Sequence, residues 1–232
     1  MERPIRTKSL AEGDSGGTAR TVALAGATGL VGQAILQGLL ADESVIAVHA
    51  LARRPLDNRH PGLTTHVVDF AALPPLPPLD EAYLALGTTI KAAGSQAAFR
   101  AVDLDASLAT ARAARAAGAR RLGVVSAMGA DAHSRVFYNR VKGELEEALA
   151  GLGFDTLVIA RPSLLVGDRG MLGQPVRAGE KIGLLAAAVA GPLIPANFRP
   201  IAASDVACAL LARVPVARGR EVLLSGAMRR ED

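Results

Sequence analysis

The chain has 232 residues, half of them hydrophobic but only 3% aromatic, with two Tyr, five Phe and no Trp. That length suits one α/β domain of about 200–250 residues; the apolar fraction excludes a disordered chain, and the unperiodic Gly and Pro exclude a collagen-like one. The formal net charge is +4, yet the basic residues are dispersed and the aromatics too few for a base-stacking platform, so nucleic acid is not the expected partner.

Residues 1–20 lack sustained apolar periodicity and end in Gly, Ser and Asp, so a flexible tail is expected there, with 21–232 as one folded domain. Thr21–Ala25 reads as a first strand that stops at glycine. Val31–Ala41 places Ile35, Leu36, Leu39 and Leu40 on one helix face. Strands are expected at Val45–Ala52 and Thr64–Val68. The cluster Pro74, Pro75, Pro77 and Pro78 rules out helix interior or central strand and marks a connection. Glu81–Leu86 is a fourth strand. Ser95–Ala117 reads as a long alanine-rich helix closed by Gly118. Leu122–Ser126 is a fifth strand, and Val136–Ala150 a helix with Glu144, Glu146 and Glu147 on its wet side. Thr156–Ala160 is a sixth strand, stopped by Arg161-Pro162. A helix from Ser204-Asp205 to about Arg213 and a short strand Val222–Leu224 follow. Strands separated by helices of this length imply parallel βαβ units: a Rossmann-type, doubly wound α/β fold of three layers, with a small C-terminal lobe on the substrate side.

Cys208 is the sole cysteine, so no internal disulfide is available; its Ala-Leu surroundings suit a buried thiol. The longest apolar stretch, Ile182–Pro195, is broken by Gly191 and Pro192 and falls short of the ~20 residues of a membrane span. Met1–Arg20 has no apolar core like that of a signal peptide. A cytoplasmic protein with no membrane partner is the expectation.

After the first strand comes Gly26-Ala27-Thr28-Gly29-Leu30-Val31-Gly32. Gly26 permits a tight turn, Gly29 close approach to a pyrophosphate, and Gly32 close packing of helix on strand. The helix N-terminus then turns its N–H groups and dipole toward the phosphates. This turn predicts dinucleotide binding. An NAD site places a carboxylate near the end of the second strand, to bond the ribose 2′-hydroxyl. Here that strand ends in Arg53-Arg54, which suits a 2′-phosphate, so NADP(H) is expected over NAD(H). Asp69, just past the third strand, is either a partner for the adenine amine or a strand-end cap.

Tyr138 and Lys142 stand four apart, on one helix face. A phenol ordinarily ionises near ~10, and a neighbouring ammonium favours phenolate. The pair can move a proton to or from a carbonyl or alcohol during hydride transfer, with the same Lys on the nicotinamide ribose. Ser126, at the end of the fifth strand and twelve residues earlier, is the candidate to polarise the substrate oxygen. The structural alternative is a packed Tyr138 ring beside a solvated Lys142.

Together these residues resemble the short-chain dehydrogenase/reductase superfamily, in its atypical branch. More closely, the chain looks like bacterial relatives of the HIV Tat-interacting oxidoreductase, an NAD(P)H-binding Rossmann family. The likeness runs from about Thr21 to Leu211 and is carried by the glycine turn, Leu86-Gly87-Thr88-Thr89, Ala93-Gly94-Ser95, Val102-Asp103-Leu104-Asp105, Ser126–Ala130, Tyr138–Glu144 and Arg161-Pro162. It implies that Leu86, Gly87, Thr88, Thr89 and Pro162 lie along the cofactor, Pro162 at the nicotinamide end. It also implies Lys142 on the ribose, Tyr138 as acid/base, and a homodimer through the helices at Ser95–Ala117 and Val136–Ala150. One departure stands out: many members carry Asn on the helix after the fourth strand, where this chain offers Asp103 or Asp105.

No metal site is expected, since His49, His60, His66 and His133 lack ligand spacing. His133 is either an active-site rim residue or an exposed loop residue. Lys91 either approaches an anion or is solvated. Leu164, Leu165, Val166, Met171 and Leu172 either line a substrate pocket or pack in the core. The leading expectation is an NADP(H)-dependent oxidoreductase acting on a small carbonyl or alcohol. The alternatives are a non-catalytic, NADP(H)-binding redox regulator and an epimerase or dehydratase of nucleotide sugars, for which the C-terminal part is short.

Overall fold

The computed structural model describes residues 19–166 and 195–229. Most of the expected tail lies outside the described residues, as do Met171 and Leu172 and nearly all of the apolar stretch at 182–195.

Seven parallel strands form the central sheet: β1 (Arg20–Ala25), β2 (Val45–Ala52), β3 (Leu63–Val67), β4 (Glu81–Leu84), β5 (Arg121–Val125), β6 (Thr156–Arg161) and, after a small two-stranded sheet of β7 (Leu165–Val166) and β8 (Ile201–Ala202), β9 (Gly219–Leu224). The order is β3-β2-β1-β4-β5-β6-β9. The chain reverses its direction of winding between β1 and β4, and that reversal opens the crevice in which doubly wound sheets hold ligands. The final strand is longer than its apolar residues suggest, because Gly219, Arg220 and Glu221 continue the pairing with β6.

Helices cover both faces, so the strands are apolar on both sides. Along β1, Val22 and Leu24 enter one core while Ala23 and Ala25 enter the other. The first core is closed by α1 (Leu30–Ala41) and α6 (Ala203–Arg213). The second is closed by the elements after β4: α2 (Ile90–Ala93), α3 (Gln96–Arg100), a π-helical turn at Ala101–Ala106, α4 (Ser107–Ala116), and α5 (Phe137–Ala150). Ser95 caps α3 by accepting from the Ala98 N–H at 3.1 Å. At the far end Gly118 has φ +101°, as its position two residues past α4 requires. The expected single helix is therefore one path with an inserted wide turn, in which the backbone makes i to i+5 bonds. A last short helix, α7 (Ser225–Met228), joins the small lobe: the Ser225 hydroxyl accepts from the Ser163 N–H at 2.8 Å. Cys208, on α6, is half-buried, short of the full burial expected.

Charge fastens the strand-entry end of the sheet. The first strand starts at Arg20, inside the expected tail, because this side chain is buried on the wholly buried Glu81 of β4 at 2.8 Å and also reaches Asp42. Arg121 approaches Glu81 from β5 at 3.3 Å, and the Tyr83 hydroxyl donates to it. Burial works against the charge on Arg20, but its bond and attraction to Glu81 outweigh that and hold it above the ordinary arginine value. Burial pushes the Tyr83 phenol far above the ordinary tyrosine value, and the charge on Glu81 adds to the effect. A cavity of about 730 Å³, lined in part by Arg20, Arg120, Arg121 and Arg218, opens at this end, away from the glycine turn. Among the described residues no helix is long and apolar enough to cross a membrane.

At the β2–β3 edge the His49 Nδ1 and His66 Nε2 lie 3.0 Å apart. Burial, with the neighbouring His66, holds His49 below the ordinary histidine value of 6.5. The unfolded chain therefore binds the proton first on acidification. The stability provided by neutral His49 is intact above about 6.5 and is lost as pH falls through the lower folded value. The melting temperature should drop between about pH 7.5 and 5.5, and the drop should be smaller in His49→Gln; equal drops in both proteins would refute this account.

Candidate cofactor and catalytic site

The site is built at the C-terminal ends of the strands. Gly26 follows β1 with φ +94°, and a Cβ there would strike the Ala85 carbonyl group at the end of β4. A Cβ on Gly32 would strike the Gly26 carbonyl oxygen. Between them Gly29 donates to the Gly26 carbonyl at 3.0 Å and stands at the N-cap of α1 without a side-chain cap, and the first turn carries no acidic residue. This end of α1 thus keeps its N–H groups and positive dipole available for an anion. Val31 is buried and Leu30 half-buried in the first core, so their outward contribution is through backbone N–H groups. Thr28 lies in the same turn, exposed. A glycine cradle with an uncapped helix start fits a pyrophosphate.

Arg53 and Arg54 follow β2 directly, and both are exposed. Asp69 Oδ1 accepts from the Ala71 N–H at 2.9 Å and closes the turn after β3. Past β4, Leu86 packs partly into the second core while Gly87 is exposed. Thr89 caps α2, accepting from the Ala92 N–H at 3.0 Å, and Lys91 is exposed.

Between the two acidic residues after β4 the structure chooses Asp103. Asp105 is exposed, whereas Asp103 is 1% exposed on the π turn. Its Oδ2 accepts from the Thr88 N–H at 2.9 Å, and its Oδ1 lies 2.7 Å from Nζ of Lys142. No aligned hydrogen bond reaches Oδ1, so it is held to the ammonium by charge. Lys142 itself is only 3% exposed, which excludes the solvated alternative. One turn earlier on α5, the half-buried Tyr138 has its ring 5.5 Å from that of Phe99. Packing therefore orients the ring of Tyr138.

Ser126 departs from its expected place. Its hydroxyl is buried and donates to Oε1 of Glu146 at 2.5 Å, so it is not offered to a substrate oxygen. The reason is strand phase: Ser126 continues the alternation of Leu122 and Val124, which face α5. Glu146 is likewise buried, not on the wet side of its helix. Arg161 holds it at 2.6 Å and Arg220 approaches at 3.4 Å. The bond to Glu146 keeps Arg161 above the ordinary arginine value, against the effect of burial. Sequence reasoning missed this carboxylate, although its spacing of four from Lys142 puts it on the inner face. It also missed Gly143, where a Cβ would collide with the Asp131–Ala132 backbone; a glycine there lets the loop after β5 lie on α5. Met128 donates to the Pro162 carbonyl at 2.9 Å, which places the buried Pro162 beside that loop. His133 is exposed in the loop, and Leu164, Leu165 and Val166 are half-buried.

No family model matches the chain. It is 39% identical over 158 residues to the protein fmp52, mitochondrial, of Emericella nidulans, a match covering 64% of this chain and 68% of that protein. It is 34% identical over 168 residues to the protein HTATIP2 of Rattus norvegicus, covering 69% and 67%. Among solved structures, MoeE5 in complex with UDP-glucose and NAD superposes with a TM-score of 0.66 at 19% identity, over 88% of this chain and 75% of that one. The PhqB reductase domain from Penicillium fellutanum gives 0.60 at 16% identity, over 88% and 67%. These identities carry the fold, which is Rossmann-like as expected. The relatives correct one expectation: the fmp52 proteins are named mitochondrial, which overturns the cytoplasmic placement expected from the sequence.

The buried Glu146 cluster gives a stability prediction. Glu146→Ala leaves Arg161 and Ser126 without their shared acceptor and should cost about 3 kcal/mol or more in urea unfolding. Glu147→Ala, at an exposed position of the same helix, should cost under about 0.5 kcal/mol.

Proposed function

Because the chain belongs to the family of the fmp52 and HTATIP2 proteins, an atypical branch of the short-chain dehydrogenase/reductases, we propose that it is an NADP(H)-dependent oxidoreductase acting on a small carbonyl or alcohol. The observation that carries this reading is the buried Lys142, held by Asp103 one helical turn from Tyr138. The glycine cradle and the uncapped start of α1 hold the pyrophosphate. Lys142 bonds the nicotinamide ribose, and Gly87–Thr89 run alongside. Arg53 and Arg54, with no carboxylate at the end of β2, support a 2′-phosphate and so NADP(H) over NAD(H).

The cofactor, when bound, supplies or accepts the hydride. The protein's own part is the proton. Tyr138 O–H donates to the substrate oxygen as the carbonyl becomes an alcohol, and the reverse direction returns the proton to the phenolate. Lys142, one turn further along α5, is held in place by Asp103. Phe99 fixes the ring, so little orientational freedom is lost in reaching the reactive arrangement.

A second reading has an observation of its own. With the Ser126 hydroxyl engaged by Glu146, Tyr138 is left as the lone substrate-facing donor among the proposed residues, which favours cofactor binding without turnover. The two readings divide on one assay: NADPH oxidation with a panel of carbonyl compounds, lost by about 100-fold or more in Tyr138→Phe. Binding of NADPH with no turnover on any compound supports the regulator. NADPH should bind more tightly than NADH, and ten-fold tighter NADH binding would overturn the NADP(H) assignment.

A further inference from the structure

Among the described residues, buried charge at this end of the sheet is sparse and sharply partitioned. Glu146 is taken up by Ser126, Arg161 and Arg220. Arg100 and Glu144 pair with each other at 2.5 Å, and Arg140 donates to the Ser134 carbonyl at 2.9 Å. Among the described residues, what remains buried beside Tyr138 is the pair of Lys142 and Asp103, each side chain under 5% exposed. A neutral side chain at position 103 would leave one uncompensated positive charge there. The carboxylate makes the pair neutral. It also lies against the loop expected to carry cofactor: Oδ2 takes the Thr88 N–H, and a Cβ on Gly87 would sit 3.7 Å from Oδ1.

The two redox forms of a nicotinamide differ in one respect that such a site senses. The oxidised ring is a cation and the reduced ring is neutral. In a poorly solvated site a nearby unit charge changes the affinity for one form and not the other. We infer that Asp103 sets the redox-form preference of this site, offsetting Lys142 so that NADP⁺ is held about as well as NADPH. The inference rests on the proposed cofactor site and goes beyond it, since it concerns which form of the ligand occupies the protein. Asp103 acts through Lys142 and through the field it contributes; it is a positioning residue, not a catalytic one.

The test is calorimetric titration of the full chain with NADP⁺ and with NADPH. The wild-type protein should bind the two forms with dissociation constants within about ten-fold of each other. Asp103→Asn keeps the shape and an acceptor for the Thr88 N–H but removes the charge. It should raise the ratio of the NADP⁺ to the NADPH dissociation constant by about ten-fold, whatever it does to either constant alone. A purely structural role would weaken both forms together. An unchanged ratio in folded Asp103→Asn overturns the inference. So does a wild-type protein that binds NADPH more than ten-fold tighter than NADP⁺, a result that needs no variant. Failure of the wild-type protein to bind either form overturns the proposed function itself.

Discussion

An ammonium group cannot be left alone in a protein interior, and Lys142 is in one. The cost of removing its charge from water is met only by an opposite charge in good position. That charge comes from another helix, at Asp103, and the rest of the site is arranged around the encounter. The carboxylate draws down the Thr88 N–H and so fixes the path of the chain past β4. Lys142 holds α5 in rotation, and that rotation places Tyr138 against Phe99. Neither helix is free to turn about its axis without exposing one charge or orphaning the other.

The same device appears twice more. Glu81 pins β1 and β5 to β4 at the strand-entry end, through Arg20 and Arg121. Glu146 gathers Ser126 and Arg161, from the ends of β5 and β6, onto α5. Around these three carboxylates the core is largely Ala, Leu, Val and Ile. Aliphatic packing of that kind tolerates exchange and gives little preference for one arrangement over a near neighbour. The charged pins do the discriminating, because each is satisfied in a single register of the elements it joins.

Much of this was readable from residues alone. The glycine turn, the alternation of strands and helices, and the Tyr138–Lys142 spacing all express local rules, and local rules survive folding. Gly118 fell where a left-handed residue was needed. Three features did not show. An alanine-rich segment such as 96–116 looks the same with or without an extra residue in one turn, so the π turn left no mark, and Asp103 and Asp105 stood equal. Glu146 reads as solvated because it is charged and flanked by Glu144 and Glu147, although its spacing from Lys142 points inward. The chemistry of Ser126 suggests a substrate-facing hydroxyl, but its phase in the strand turns that hydroxyl toward α5.

The π turn has an evolutionary consequence. A wide turn is a helix with one residue too many, stable because the backbone re-pairs around the insertion. Deleting one residue within Ala101–Ala106 would return the path to a regular helix, without a broken hydrogen bond and with its alanine-rich faces still apolar. The same deletion would leave the flanking segments on their faces but remove the local bulge on which Asp103 stands, and the contact between Asp103 and Lys142 would be lost. Descendants of such a chain would fold while losing the charge balance of the site, so lineages of this fold can shed that property in one codon-sized event.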